Sequence, residues 1–147
     1  MSEQTTCSAI VSFAEKLECN SAEFYRMLAK RFTKDGGTFL GFAKECDKSH
    51  VRVMRTYRET ISDAFEACFI QMDLNNYQAE TKLKEDLNYG DALKKAIDLE
   101  EKAVKFYDDA AEKSKSLLAT ISVAFKTAAK NRNRRKLELK SLLNRPI

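Results

Sequence analysis

The chain has 147 residues, with four glycines, one proline and a net charge of +4 at pH 7. This length suits one domain with a sizeable core, residues 1–147, and Pro146 next to the end leaves every earlier position open to helix. The longest stretch without a charged residue, 4–14, is too short to span a bilayer, and the composition predicts an all-α fold.

Four stretches are predicted to be helical: about 8–32, 38 to the mid-60s, 91–113 and 117–143. The turn TKDGG ends the first stretch, and its glycines Gly36 and Gly37 are suited to a helix C-cap. Thr38 and Asp91 are candidate N-caps of the second and third helices. The connections after the first and third helices are short, whereas the second connection is long enough to cross a bundle. This order predicts an up-down four-helix bundle with one long crossover.

Each predicted helix has an apolar seam with 3,4 spacing that polar residues interrupt near its middle. The interruptions, helix by helix, are Glu18 with Ser21, Asp47 with His50, Glu100, and Arg132 with Arg135. In the second helix the complete seam is predicted to comprise Leu40, Ala43, Asp47, His50, Met54, Tyr57 and Ile61. Because the four interruptions lie at matching heights, we expect a buried polar layer across the bundle.

The two halves of the chain repeat a pattern. LECNSAEFY at 17–25 matches LEEKAVKFY at 99–107 as LExxxxxFY. The second helix has LxxAxxxDxxHxxxM at 40–54, and the fourth has FxxAxxxRxxRxxxL at 125–139 with the same spacings. The repeat predicts a duplicated helical hairpin.

The two LExxxxxFY segments and DKSHVRVM, residues 47–54, resemble the ferritin-like superfamily and, within it, the rubrerythrin-type branch. The resemblance implies a four-helix bundle that binds a di-iron centre and reduces peroxide, often with electrons from an attached rubredoxin-like domain. By position it assigns metal-ligand places to Glu18, Asp47, His50 and Glu100. Asp47 and His50 are three residues apart, so both side chains could reach the same ion from one helix face.

The chain departs from this family in the fourth helix. Arg132 and Arg135 stand where the family has Glu and His, and a guanidinium cannot ligate a metal. We interpret both arginines as ionic replacements for the missing metal ions, hydrogen-bonded to the carboxylates of the layer. Tyr25 and Tyr107 are expected to pack in the core, with hydroxyls that reach carboxylates across the bundle. The chain also has no CxxC pairs of a rubredoxin segment, so any redox activity would need an external electron donor.

Three functions are open on these grounds. The first is a degenerate rubrerythrin-like bundle with no catalytic residues and no cofactor, inactive as a di-iron peroxidase, which acts through a partner or as a homodimer or other homo-oligomer. The second is a metal-binding oxidoreductase that handles peroxide or oxygen, with one iron or manganese ion at the residual Glu18, Asp47, His50 and Glu100.

The third function is a basic helical module that binds nucleic acid or protein. From residue 123 onward the chain has eight Lys or Arg against one Glu. The outward cations of the fourth helix are Lys126, Lys130, Arg134 and Lys140. No aromatic residues alternate with these cations to stack on bases, so the pattern does not favour nucleic acid.

The N-terminal MSEQTTCSAIV has no basic region typical of a signal peptide, and a cytoplasmic location is expected. The four cysteines, Cys7, Cys19, Cys46 and Cys68, form no CxxC pair. In a reducing compartment they are expected to be free thiols, and a zinc site built from them is not predicted.

Overall fold

The computed structural model describes residues 4–60, 69–115 and 119–145. Within these ranges the chain forms four long α-helices: α1 (Cys7–Arg31), α2 (Gly36–Thr60), α3 (Tyr89–Ser114) and α4 (Ala119–Leu143). The predicted all-α class is confirmed, while the predicted end of the second helix, in the mid-60s, lies outside the described residues. None of the helices in the described ranges is long and apolar enough to cross a membrane.

The predicted helix caps were wrong at three places. Gly36 has helical backbone angles and opens α2, after a short 3-10 turn, Thr33–Asp35, that follows α1. Thr38 therefore lies inside α2. At the start of α3 the cap is Asn88, whose side chain accepts a hydrogen bond from the backbone N–H of Asp91 at 2.8 Å. Asn and Asp are both favourable N-cap residues, so local propensity alone does not decide whether Asn88 or Asp91 begins the helix.

Two short strands, which the sequence did not predict, join distant parts of the chain. β1 (Gln4–Thr6) precedes α1 directly and pairs antiparallel with β2 (Phe69–Gln71). Strands of three residues are too short to show an alternating pattern, so periodicity could not reveal them. The pair fastens the start of α1 to the segment that follows α2.

The ends of the helices are tied together by polar contacts. At the end of α1, Arg31 donates to the backbone carbonyl of Lys84 at 2.5 Å, and Arg145 pairs with Asp35 at 2.8 Å. At the opposite end, the Lys113 ammonium near the end of α3 donates to the backbone carbonyl of Gln71 in β2. The long segment before α3 is therefore held to the bundle at both of its ends.

The buried seam of α2 is shifted by one residue from the prediction. The residues that enter the core with 3,4 spacing are Phe39, Phe42, Cys46, Ser49 and Val53. Ala43 is buried as predicted, but Leu40 is exposed, Met54 and Tyr57 are half-buried, and Ile61 lies outside the described residues. Burying the two phenylalanine rings removes more apolar surface from water than burying Leu40 would, so the larger rings set the orientation of the helix.

Candidate functional site

Four ionisable side chains are almost completely buried at the middle of the bundle. Glu18 of α1 and Glu100 of α3 are 1% and 0% exposed, and Arg132 and Arg135 of α4 are each 1% exposed. The helical spacing explains their meeting, because each residue continues an apolar seam that faces the bundle axis. The predicted burial of both arginines is thus confirmed, and the two negative and two positive charges balance.

Arg132 is the centre of this layer. Its Nη1 donates to both carboxylate oxygens of Glu100, at 3.0 and 3.1 Å. Its Nη2 donates to Glu18 Oε2 at 2.6 Å and to Ser21 Oγ at 3.0 Å. One guanidinium therefore bridges α1 and α3 from α4, with the planar fork that makes arginine the usual partner of buried carboxylates.

Arg135 lies one helical turn further along α4. Its Nη1 lies 3.3 Å from Glu100 Oε2 and 3.3 Å from the Cys46 sulfur, while its Nη2 lies 3.4 Å from Glu45 Oε1. The guanidinium also stacks over the Phe42 ring, with 5.6 Å between the guanidinium carbon and the ring centroid. These contacts are longer than those of Arg132, so Arg135 is held more loosely.

Two tyrosines complete the layer by crossing between α1 and α3. The Tyr25 hydroxyl of α1 donates to Glu100 Oε2, and the Tyr107 hydroxyl of α3 donates to Glu18 Oε2 at 2.8 Å. Each LExxxxxFY segment thus supplies a carboxylate to the other segment's tyrosine. The predicted reach of both hydroxyls across the bundle is confirmed, and their reciprocity agrees with the internal repeat.

Neighbouring charges keep Glu100 and Arg132 ionised. Burial alone would raise the pKa of the Glu100 carboxyl, but the charges of Arg132 and Arg135 outweigh it and hold that pKa below its ordinary value. Burial lowers the pKa of Arg132, yet Glu100 and Glu18 more than offset this and raise it further above its usual range. Burial raises the pKa of the Cys46 thiol to about 12, so the thiol stays protonated at neutral pH and is a poor nucleophile.

Asp47 and His50 do not reach the layer, and their assignment to interior positions was wrong. The Asp47 side chain is 54% exposed and pairs with Arg26 at 2.5 Å. His50 is half-buried, with its Nε2 3.3 Å from Glu15 Oε2. The cause is the shifted seam of α2, which turns both residues away from the bundle axis.

The internal repeat can now be aligned on the buried residues. In α2 the buried positions Phe39, Cys46, Ser49 and Val53 have the same spacing as Phe125, Arg132, Arg135 and Leu139 in α4. Cys46 and Ser49 therefore occupy the places that the prediction gave to Asp47 and His50. The repeat alone does not choose between the two alignments, because the seam that starts at Leu40 has the same spacing relative to Phe125 as the seam that starts at Phe39.

The residues of the layer do not fit a di-iron centre. Such a centre needs a carboxylate from each of two helices and a carboxylate with a histidine from each of the other two. Here only Glu18 and Glu100 supply carboxylates, while α2 and α4 supply a thiol, a hydroxyl and two guanidiniums. Among the described residues there is no group of three or more His, Cys, Asp or Glu side chains arranged to hold a metal ion.

Comparison of the chain with protein-family models, with curated proteins and with solved structures finds no match. What the layer can do chemically is therefore argued from its own residues. Its carboxylates are engaged by arginines, its tyrosine hydroxyls are hydrogen-bonded, and burial raises the pKa of Tyr25 and of Tyr107 well above the ordinary value. The carboxylates and tyrosine hydroxyls of the layer are thus committed to hydrogen bonds, apart from Glu18 Oε1, which has no partner among the described residues.

We expect Tyr107→Phe to lower the free energy of unfolding by about 1–3 kcal/mol, and more than Tyr25→Phe does. Glu18 Oε1 has no hydrogen-bond partner among the described residues, so without the Tyr107 hydroxyl Arg132 would be the remaining side-chain donor to Glu18. Glu100 would keep both arginines after Tyr25→Phe. Urea unfolding of both variants measures the difference.

Tyr77→Phe is the matched control, because the Tyr77 hydroxyl donates to the partly exposed Asp109, which water can solvate. A loss for Tyr107→Phe no larger than that for Tyr77→Phe would contradict the central role of these hydrogen bonds.

Proposed function

We propose that this chain is a ferritin-like bundle of the rubrerythrin type in which an arginine network stands in place of the di-iron centre, and that it acts as a non-catalytic binding protein. The observation that carries the proposal is the bridge of Arg132 between Glu18 and Glu100. Those two glutamates are the positions to which the resemblance assigns metal ligands. A guanidinium between them neutralises and links the two carboxylates, as a metal ion would, but it has no open coordination position for a substrate.

The helix order supports the ferritin-like part of the proposal. β2 lies beside the start of α1, whereas Tyr89 at the start of α3 donates to Asp35, beyond the end of α1. The segment between them must therefore travel from one end of the bundle to the other. A long connection between two short-linked helical hairpins is the arrangement of the ferritin-like bundles.

The charge balance supports the non-catalytic part. A metal ion that entered the layer would lie beside two buried arginines that cannot lose their protons. To bind Glu18 and Glu100, it would have to displace the guanidiniums from these carboxylates. Buried charge without a partner costs several kcal/mol per ion, so the arginines cannot be left behind unpaired. The proposed bundle therefore keeps its fold through the network and acts through its surface.

We predict that protein produced with added iron and manganese binds far less than one metal ion per chain after purification without a chelator. Its carboxylate positions are engaged by Arg132, so no competitive site is left in the layer. Elemental analysis by mass spectrometry measures the metal content. Peroxide consumption with a supplied electron donor should equal that of the buffer. A content near two irons per chain, or peroxide turnover abolished by Glu100→Ala, would overturn the proposal.

A further inference from the structure

The outer face of α2 carries an unusual concentration of positive charge. Five cations point to solvent at intervals of four, four, three and three residues, and we call them the α2 basic face: Lys44, Lys48, Arg52, Arg55 and Arg58. Such spacing keeps them on one side of a helix over about 20 Å. None of the five forms an ion pair with another residue in the part of the chain that the structure describes.

The acidic residues close to this face are mostly already engaged. Asp47 pairs with Arg26 of α1, and Glu45 pairs with Arg134 and Arg135 of α4. Glu59, near the end of α2, is an exposed acid on the same helix. The face therefore keeps an excess of positive charge that the bundle does not neutralise.

An apolar residue lies within the same face. Val51 is 51% exposed and is surrounded by the cations. Two shallow grooves, of about 430 and 400 Å³, meet at Val51 and Arg55. The first extends over His50 and Met54 and is also lined by Glu15 and Glu59, and the second extends along Lys48 and Asp47. A partner that fills both grooves must offer apolar side chains as well as negative charge.

We infer that the α2 basic face is the docking surface for an acidic amphipathic segment of a protein partner. The inference rests on the proposed function, in which the chain acts by binding, and it names the surface used. Charge complementarity selects an acidic partner. The exposed Val51 favours a protein segment over nucleic acid, because a phosphate backbone gains nothing from an apolar contact. In addition, no described residue of the face is an exposed aromatic ring on which bases could stack.

The outward cations of α4 are a weaker candidate for the same role. Arg134, in the middle of that row, already pairs with Glu45 and with Glu138. The remaining members, Lys126, Lys130 and Lys140, are exposed lysines and provide a matched set for comparison.

Binding can be measured by fluorescence anisotropy with a labelled synthetic helical peptide of about 15 residues, which matches the length of the face. One side of the peptide carries glutamates with leucines between them, and a second peptide has serines in place of the leucines. The variant Lys48→Glu, Arg52→Glu, Arg55→Glu should weaken binding of the first peptide by about tenfold or more. The variant Lys126→Glu, Lys130→Glu, Lys140→Glu makes the same change in net charge on α4 and should alter binding by less than about twofold.

Val51→Ser should weaken binding of the leucine peptide and leave binding of the serine peptide unchanged. All the substituted residues are exposed, so each variant should melt like the parent protein. Equal losses in the two triple variants would overturn the inference, because net charge alone would then explain binding. Tighter binding of a single-stranded oligonucleotide than of the leucine peptide would overturn it too. Neither result bears on metal content or peroxide consumption, which test the proposed function separately.

Discussion

Replacing Arg132 with alanine should lower the free energy of unfolding by about 3–5 kcal/mol. The substitution would leave Glu18 and Glu100 as buried carboxylates without their shared cation, since both are almost fully buried and Arg132 binds each of them directly. Arg135 could compensate in part at Glu100, which it already contacts at 3.3 Å, but its contacts do not extend to Glu18. For a domain of this size the loss corresponds to a melting temperature lower by roughly 10 °C.

Thermal and urea unfolding of Arg132→Ala, with Lys130→Ala as the control, measure this effect. Lys130 is exposed on the same helix, so its truncation removes a charge without disturbing the layer and should be nearly neutral. The loss of free energy of unfolding for Arg135→Ala should lie between those of the two variants, because the ion pairs of Arg135 are longer and its partner Glu45 is partly exposed. If Arg132→Ala melted like Lys130→Ala, the layer would not depend on its bridging guanidinium.

Rebuilding the ligand set should make the fold depend on metal. The combined variant Cys46→Glu, Ser49→His, Arg132→Glu, Arg135→His puts a carboxylate and an imidazole on both α2 and α4, facing Glu18 and Glu100. Without metal, four carboxylates would share one buried layer with no cation, so the variant should be largely unfolded. Free manganese or ferrous iron at one hundred times its dissociation constant should restore about 2.7 kcal/mol.

The pair Arg132→Glu, Arg135→His is the discriminating control for this experiment. This pair leaves α2 unchanged, so the carboxylate and imidazole ligands that α2 would supply are missing. Metal should therefore stabilise it much less than it stabilises the combined variant. If Asp47 and His50 could turn inward to act as ligands, the pair would respond to metal as strongly as the combined variant. Melting curves of both variants, recorded with and without each metal, separate these outcomes and test the orientation of α2.

All four helices could be predicted from the sequence, and for three of them so could the residues that face inward. In α1, α3 and α4 a single 3,4-spaced seam is apolar at both ends, so its polar interruptions had to face inward. This pattern predicted the burial of four charged residues: Glu18, Glu100, Arg132 and Arg135. The repeated LExxxxxFY segments indicated that the hydroxyls of Tyr25 and Tyr107 would reach carboxylates across the bundle. Strong periodicity and an internal repeat are properties of the chain itself.

The orientation of α2 was decided only by tertiary packing. Two adjacent seams of this helix are both apolar near its start, one through Phe39 and Phe42 and the other through Leu40 and Ala43. In the folded bundle Phe39 and Phe42 pack against the Tyr25 ring of α1, and this contact rotates Asp47 outward and Cys46 inward. Two seams that are offset by one residue have nearly the same hydrophobic pattern in the sequence. Which of them is buried is therefore set by the apolar area that each can bury against the neighbouring helices.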